Sequence, residues 1–395
     1  MVLLGLGTVA GAVATRLLDE DWRRDVEARG LAPPELVAVG VRDPGRQRSV
    51  VLPSSVIRSE DLAGLVDDER TDVIVELLGG LEPAGPLVRR ALERGKAVVT
   101  ANKYLLAERG PELEAIARRS NASLRFEAAV GGGIPLLAPL ARDLAGNRIE
   151  RLRGIVNGTT NFILSAMAGQ GRDYADVLAD AQARGYAEAD PSADLEGRDA
   201  AHKLVLLTRL AFGTWVQPSG ISRAAARLDG NAHAADGITG VTADHVGVAA
   251  AEGLAIKLVA SVERMAGGRL AGFVEPCAVA TDSVLGATDG VINVVEVNAR
   301  PLGTVHLRGP GAGGDATSSA VLADLLALVR GDGATWATLP AARPLGDLDD
   351  GRRNAQRWFV PGVGPIGPFD LASARRSLAG ARLSGGTPIY RLLED

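Results

Sequence analysis

The run Val2-Leu3-Leu4-Gly5-Leu6-Gly7-Thr8-Val9-Ala10 restricts the fold of this 395-residue chain more than any other. Three apolar residues read as a buried strand. Two glycines make a turn, and Val13, Ala14, Leu17 and Leu18 continue with helical spacing. Gly5-x-Gly7-x-x-Ala10 fits the strand–turn–helix fingerprint that seats a dinucleotide, with alanine as its third member. The glycines let the backbone approach a pyrophosphate, and the helix start presents its N–H groups to it. Further short apolar strands are expected at 36–41, 71–78, 97–100 and 123–127, with helical stretches between them. That alternation predicts an α/β fold with a doubly wound parallel sheet of the Rossmann type.

From about residue 130 the texture changes. Gly131-Gly132-Gly133-Ile134-Pro135 breaks the alternation. Helices are expected at 161–168, 173–184 and 198–212, and strands near 272–281 and 292–298, which suggests an α+β substrate domain. A second glycine-rich turn at 309–314 precedes a helix from Thr317 to about Arg330, with Thr317 or Ser318 as its cap. The reading is a cofactor domain at 1–130 completed by helix 317–330, then a substrate-binding, catalytic and dimerisation region at 131–316. Residues 331–395 are weakly periodic and are expected to be a short extension with little core of its own.

Net charge is −5 with both signs interspersed, so neither nucleic acid nor an anionic membrane is expected as a partner. No run of about 18 apolar residues occurs, so no spanning helix is expected. The N-terminus lacks a basic stretch, and a signal peptide is not expected. A single cysteine, Cys277, rules out an internal disulfide and fits a reducing, cytoplasmic setting.

The densest chemistry lies in 181–203. Glu188, Asp190, Asp194, Glu196 and Asp199 precede Lys203 within sixteen residues. Such a cluster suits a small substrate bearing an ammonium group. A helix starting near Arg198 puts Asp199 and Lys203 four apart on one face. The apolar run Leu204-Val205-Leu206-Leu207 implies that this helix is buried. Desolvation favours a neutral lysine and the aspartate opposes it, a pairing that can hold a proton donor in place. A plain helical ion pair is the alternative. Only four lysines, Lys96, Lys103, Lys203 and Lys257, stand among 43 basic residues. Arginine cannot release its proton, so a lysine in such a chain invites attention.

After the second strand come Arg42, Asp43, Arg46 and Arg48. A carboxylate at that strand end favours NAD, and arginine favours the 2′-phosphate of NADP. Arg42 stands first, so NADP is the favoured cofactor, with Asp43 keeping NAD open.

Six ordered blocks carry a resemblance to the homoserine dehydrogenase family over about residues 1–330. They are Gly-Leu-Gly-Thr-Val (5–9), Val-Val-Thr-Ala-Asn-Lys (98–103), Phe-Glu-Ala-Ala-Val-Gly-Gly-Gly-Ile-Pro (126–135), Asn-Gly-Thr-Thr-Asn-Phe-Ile-Leu (157–164), the 181–203 block, and Gly-Pro-Gly-Ala-Gly (309–313). The resemblance implies reversible NAD(P)H-dependent reduction of L-aspartate 4-semialdehyde to L-homoserine, on the route to threonine, methionine and isoleucine. It implies Lys203 as proton donor, oriented by Asp199, with Lys103 as a second lysine near nicotinamide and substrate. Substrate contacts would come from Gly185, Glu188, Asp194 and Asp199. Cofactor contacts would come from Gly5, Leu6, Gly7, Thr8, Val9, Arg42, Lys103 and Gly313. A monovalent cation, Na⁺, would be held largely by backbone oxygens at Glu127, Val130, Gly132 and Ile134. A homodimer or homotetramer is implied. The segment Arg357–Val363 resembles the start of a regulatory ACT domain, but too few residues follow for a full one, so threonine inhibition is not expected.

Two rivals remain open on sequence alone. An aldehyde-oxidising semialdehyde dehydrogenase needs a nucleophilic cysteine, and Cys277 sits in a strand-like context that suits a buried apolar role better. A non-catalytic cofactor sensor would have little use for both Lys103 and Lys203.

Overall fold

In the computed structural model, residues 1–48, 50–230, 235–342, 348–384 and 386–394 are described. The first half runs β1 (Val2–Leu4), α1 (Thr8–Leu18), α2 (Glu20–Ala28), β2 (Ala38–Gly40), β3 (Ile57–Ser59), α3 (Leu62–Asp67), β4 (Val73–Glu76), α4 (Ala84–Glu93), β5 (Ala97–Thr100), α5 (Lys103–Arg119), β6 (Leu124–Arg125) and α6 (Leu137–Ala141). Then come β7 (Arg148–Ile155), α7 (Gly158–Gln170), α8 (Tyr174–Ala183), α9 (Ser192–Leu195), α10 (Arg198–Phe212), β8 (Ala226–Arg227), α11 (Ala243–Ala251), β9 (Leu254–Arg264), β10 (Leu270–Ala280), β11 (Ile292–Arg300) and β12 (Gly303–Pro310). The chain closes with α12 (Gly314–Val329), β13 (Gln356–Val360), β14 (Gly364–Phe369), α13 (Leu371–Ser377) and β15 (Pro388–Leu393).

Two compact units divide the chain. The first comprises 1–146, 205–215 and 310–345, and the second 147–204, 216–309 and 346–395. In the first, six parallel strands are ordered β3-β2-β1-β4-β5-β6. That is the doubly wound order, with its switch point between β1 and β4. The strands are short and apolar because helices cover both faces of such a sheet. Leu3, Val39, Val75 and Val99 pack with Val13, Leu17 and the α12 residues Val321 and Leu325 in one cluster.

The second unit holds a mixed sheet ordered β12-β11-β7-β9-β10-β15-β13-β14, with β8 paired to β15. Long antiparallel registers join β9 to β10 and β7 to β11. Among the described residues no helix is long and apolar enough to cross a membrane.

Several expectations need correction. The first unit reaches to residue 146 and takes in 310–316, so the boundary at 130/131 and the block 131–316 do not match the packing. Helix α12 begins at Gly314 on an N-cap Gly313, so neither Thr317 nor Ser318 caps it; both are buried inside the helix. Residues 331–395 are not a coreless extension. β13 and β15 join the large sheet, and Trp358, Val360, Leu371, Ala374, Leu378 and Ile389 pack with Ala226. Trp358, Phe359 and Val360 are consecutive and all buried, which hides the period-2 signal of a half-exposed strand. Strand β3 escaped the sequence reading because Ile57 is largely exposed and no apolar run marks the strand.

Candidate functional site

In the first unit, β1 turns at Gly5, whose φ is +96°. A Cβ there would lie 2.9 Å from the carbonyl oxygen of Leu77, so only glycine fits. Helix α1 follows from Thr8 with Gly7 as N-cap and no capping side chain, and α12 likewise starts on Gly313 uncapped by a side chain. The two helix starts are adjacent: a Cβ on Gly314 would meet Thr8 Cγ2 at 3.1 Å. Backbone N–H groups at two neighbouring helix ends make a cradle that suits a pyrophosphate. The predicted residues Gly5, Leu6, Gly7, Thr8, Val9 and Gly313 are thus brought together.

Beside this turn, Leu6, Val39, Val41, Arg46, Arg48 and Arg58 contribute to an open cleft of about 290 Å³. Arg42 is exposed and is not among the residues lining the cleft, whereas Arg58 of β3, which the sequence reading missed, is. The Asp43 carboxylate is used locally: its Oδ1 accepts from the N–H groups of Gly45 and Arg46 at 2.9 and 3.1 Å.

Lys103 opens α5 at the carboxyl end of β5, the edge where open α/β sheets place their ligands. A buried polar network sets this corner. Thr100 Oγ1 donates to Glu76 Oε2 at 2.5 Å, and Glu76 Oε1 accepts from the N–H groups of Leu78 and Gly79. Asn102 receives Leu105 N–H as the helix cap and donates to the Gly80 carbonyl at 2.7 Å. Glu76 was legible as the carboxylate inside the apolar run 73–78, a signal that the strand assignment absorbed.

The segment 127–134 has a tight loop. A Cβ on Gly132, whose φ is +57°, would strike the Gly311 backbone at 2.5 Å. The Glu127 carboxylate accepts from the N–H groups of Leu136, Leu137 and Ala138 at 2.6–2.8 Å. Burial pushes its pKa up and those three donors oppose the rise. The side chain is therefore committed to the loop. Among the described residues no group of three His, Cys, Asp or Glu side chains could hold a metal ion. A cation at Glu127, Val130, Gly132 and Ile134 would have to take backbone oxygens.

In the second unit, α10 begins at Arg198, as its spacing implies. Lys203 Nζ lies 2.7 Å from Asp199 Oδ2 and donates to the Val156 carbonyl at 2.5 Å. Both side chains are about nine-tenths buried, so this is more than a solvated ion pair. Asn157 Nδ2 donates to Asp194 Oδ1 at 2.7 Å and to Asp199 Oδ2 at 2.8 Å. Burial and the neighbouring Asp199 charge push the Asp194 pKa up, opposed by Asn157 and Lys203. Asp194, Asp199 and Lys203 thus form one cluster.

Gly185 and Glu188 lie on the exposed stretch after α8. Thr159 Oγ1 ties that stretch to α7 through the Tyr186 carbonyl at 2.7 Å. Asp190 accepts from Ser192 N–H at the start of α9, and Glu196 pairs with Arg198. The Asp190 carboxylate thus serves a local turn and that of Glu196 an ion pair. Val156 and Asn157 are the contributors the sequence reading gave no role. The 157–164 block marked Asn157 as notable, but nothing in its spacing pointed to residues 194 and 199.

Cys277 is fully buried on β10, and burial pushes its thiol pKa up. A nucleophilic thiolate is disfavoured there.

Comparisons with known proteins give the family of the chain. Residues 135–326 match the family model described as homoserine dehydrogenase, and residues 5–127 match the one described as homoserine dehydrogenase, NAD binding domain. Homoserine dehydrogenase of Synechocystis sp. is 42% identical over 330 residues, covering 83% of this chain and 72% of the relative. That of Mycobacterium tuberculosis is 39% identical over 404 residues, covering 98% and 86%. The crystal structure of a homoserine dehydrogenase from Thiobacillus denitrificans superposes with a TM-score of 0.87 at 31% identity, covering 100% of this chain and 97% of that one. A hyperthermophilic archaeal homoserine dehydrogenase in complex with NADPH superposes with a TM-score of 0.65 at 26% identity, covering 82% and 96%. The chain belongs to the homoserine dehydrogenase family of NAD(P)-dependent oxidoreductases.

Proposed function

We propose that the chain interconverts L-homoserine and L-aspartate 4-semialdehyde with Lys203 as the group that exchanges a proton with the substrate oxygen. The buried contact of Lys203 Nζ with Asp199 Oδ2 and Val156 O carries this reading, because it fixes the ammonium in one place with limited water. A nicotinamide cofactor held at the glycine turn would provide the hydride chemistry at the aldehyde carbon, in either direction. In the reductive direction negative charge grows on the substrate oxygen. The Lys203 ammonium stabilises that charge and donates a proton, and in oxidation the neutral amine receives it. Asp199 orients Lys203. Asp194, Glu188 and the Gly185 backbone receive the substrate's polar groups, with Asp194 facing the α-ammonium.

Lys103 is assigned to the nicotinamide end of the cofactor site, at the carboxyl end of β5. NADP is the favoured cofactor. Support comes from Arg46, Arg48 and Arg58 in the cleft beside the glycine turn, with Arg42 at the exposed loop, while the Asp43 carboxylate is spent on its own turn. Backbone oxygens at Glu127, Val130, Gly132 and Ile134 are proposed to hold Na⁺. A homodimer or homotetramer working in the cytoplasm completes the reading.

The test is homoserine oxidation with NADP and with NAD, with and without Na⁺, on the wild type and Lys203→Ala. General acid–base loss predicts a fall in kcat of about a hundredfold or more with little change in KM. A near wild-type kcat in Lys203→Ala would remove the assignment.

A further inference from the structure

We propose that Asn157 is a positioning residue for the reaction, whose one amide NH₂ group holds Asp199 to Lys203 and Asp194 to the substrate ammonium. The inference rests on the roles given above to Lys203, Asp199 and Asp194, and adds the residue that keeps the two carboxylates in separate roles.

Asn157 lies between the end of β7 and the start of α7 and is 4% exposed. Its Oδ1 accepts from Thr160 N–H at 2.9 Å and lies 3.0 Å from Thr160 Oγ1. That fixes which end of the amide is nitrogen, since a flipped amide would set its oxygen against two carboxylates. The NH₂ group carries two N–H donors. They go to different acids, Asp194 Oδ1 at 2.7 Å and Asp199 Oδ2 at 2.8 Å. The preceding residue, Val156, gives its carbonyl to Lys203 Nζ at 2.5 Å. One dipeptide therefore contacts all three charged groups.

Among the described residues the charged groups that act most on Asp194 are Asp199 and Lys203 of α10, while α7 and its cap offer the neutral Asn157 and Thr159. A buried and a half-buried carboxylate held by one amide tend to share a proton. A protonated Asp194 would lose its attraction for an ammonium. A protonated Asp199 would lose its hold on Lys203. Donation of a separate N–H to each acid favours both ionised forms. It also fixes Oδ1 of Asp194 in place.

Asn157→Asp and Asn157→Ser separate this role from the capping role. Each keeps an oxygen for Thr160 N–H, so α7 remains capped. Neither carries the NH₂ group. The expected result is an upward move of the acidic limb of kcat/KM for homoserine by about one pH unit. A rise in KM for homoserine of about tenfold should accompany it, with the Kd for NADPH unchanged. Asn157→Asp should show the larger effect, since it adds a third carboxylate. A uniform loss of kcat with an unmoved limb and unmoved KM would mean a cap only, and would overturn the proposal. If Asn157→Asp fails to fold, the same outcomes are read from Asn157→Ser. Lys203→Ala is measured beside them. If Lys203→Ala is inactive while both Asn157 variants keep the wild-type profile, this inference alone fails. If Lys203→Ala stays active, the underlying assignment fails.

Discussion

Arg48 donates from Nη1 to the carbonyl oxygen of Leu6 at 2.9 Å, joining the loop after β2 to the middle of the glycine turn. Arg48 Nη2 also approaches the Asp43 carbonyl at 3.4 Å. The side chain is thus a strut between the two segments expected to touch the cofactor. Arg48→Ala should weaken both NADH and NADPH by about tenfold, the scale of one charge-assisted hydrogen bond. Arg58→Ala should weaken NADPH selectively. Fluorescence titration with both cofactors separates the two effects. Equal loss of NADH and NADPH in Arg58→Ala would speak against a 2′-phosphate contact.

Asp199 Oδ2 lies 2.7 Å from Lys203 Nζ. Asp199→Asn keeps the size and a hydrogen-bonding oxygen but removes the charge paired with Lys203. The maximum rate for homoserine oxidation should fall about tenfold to a hundredfold. A wild-type kcat in steady-state assays would show that Asp199 is a structural partner only.

Glu114 holds α5 to the later part of α10. Arg209 donates to it twice, at 2.9 and 2.7 Å, and Trp215 Nε1 donates at 2.7 Å. Burial alone would raise the Glu114 pKa, yet Arg209, Trp215 and Arg118 outweigh it and hold the carboxyl below its ordinary value. A depressed carboxylate adds stability above its unfolded pKa, and that stability is lost as pH falls through the folded value. Glu114→Gln should therefore cost about 3 kcal/mol near neutral pH, since it leaves the Arg209 charge buried and unpaired. The gap to wild type should close as the pH drops below the ordinary glutamate range. Urea denaturation at several pH values reads this directly, and a gap independent of pH would contradict it.

Lys257 is 2% exposed in β9, and its Nζ meets Asn161 Oδ1, Ser165 Oγ, the Thr288 carbonyl and Asp289 Oδ1 at 2.8–3.1 Å. Four acceptors converging on one nitrogen suit a compact ammonium. Lys257→Met should lower stability by about 2–4 kcal/mol by leaving buried acceptors unpaired. kcat should stay near wild type in the folded fraction. Thermal denaturation together with initial rates checks both parts.

Thiol alkylation should leave activity untouched. Cys277 is fully buried and its pKa is pushed up. Rapid inactivation by iodoacetamide under native conditions would revive the cysteine-dependent rival.

Features governed by local geometry could be read from the residues alone. Gly5 between an apolar strand and a helix specifies the turn, because few other residues allow its φ of +96° or its approach to the Leu77 carbonyl. The i,i+4 spacing of Asp199 and Lys203 sets them on one face of any helix that includes them, and the apolar run after Lys203 implies burial. Strand alternation in 1–130 implied the parallel sheet, since strands covered on both faces must be apolar. Only the tertiary structure decided which distant groups meet. Val156 and Asn157 reach Lys203, Asp194 and Asp199 across 37 to 47 positions. Arg48 reaches Leu6 across 42. The strands β13 and β15 join a sheet begun two hundred residues earlier. Periodicity records which face of an element is buried, but it does not name the partner. Long-range pairing follows from how whole faces pack, and the roles of the 181–203 carboxylates depended on that packing.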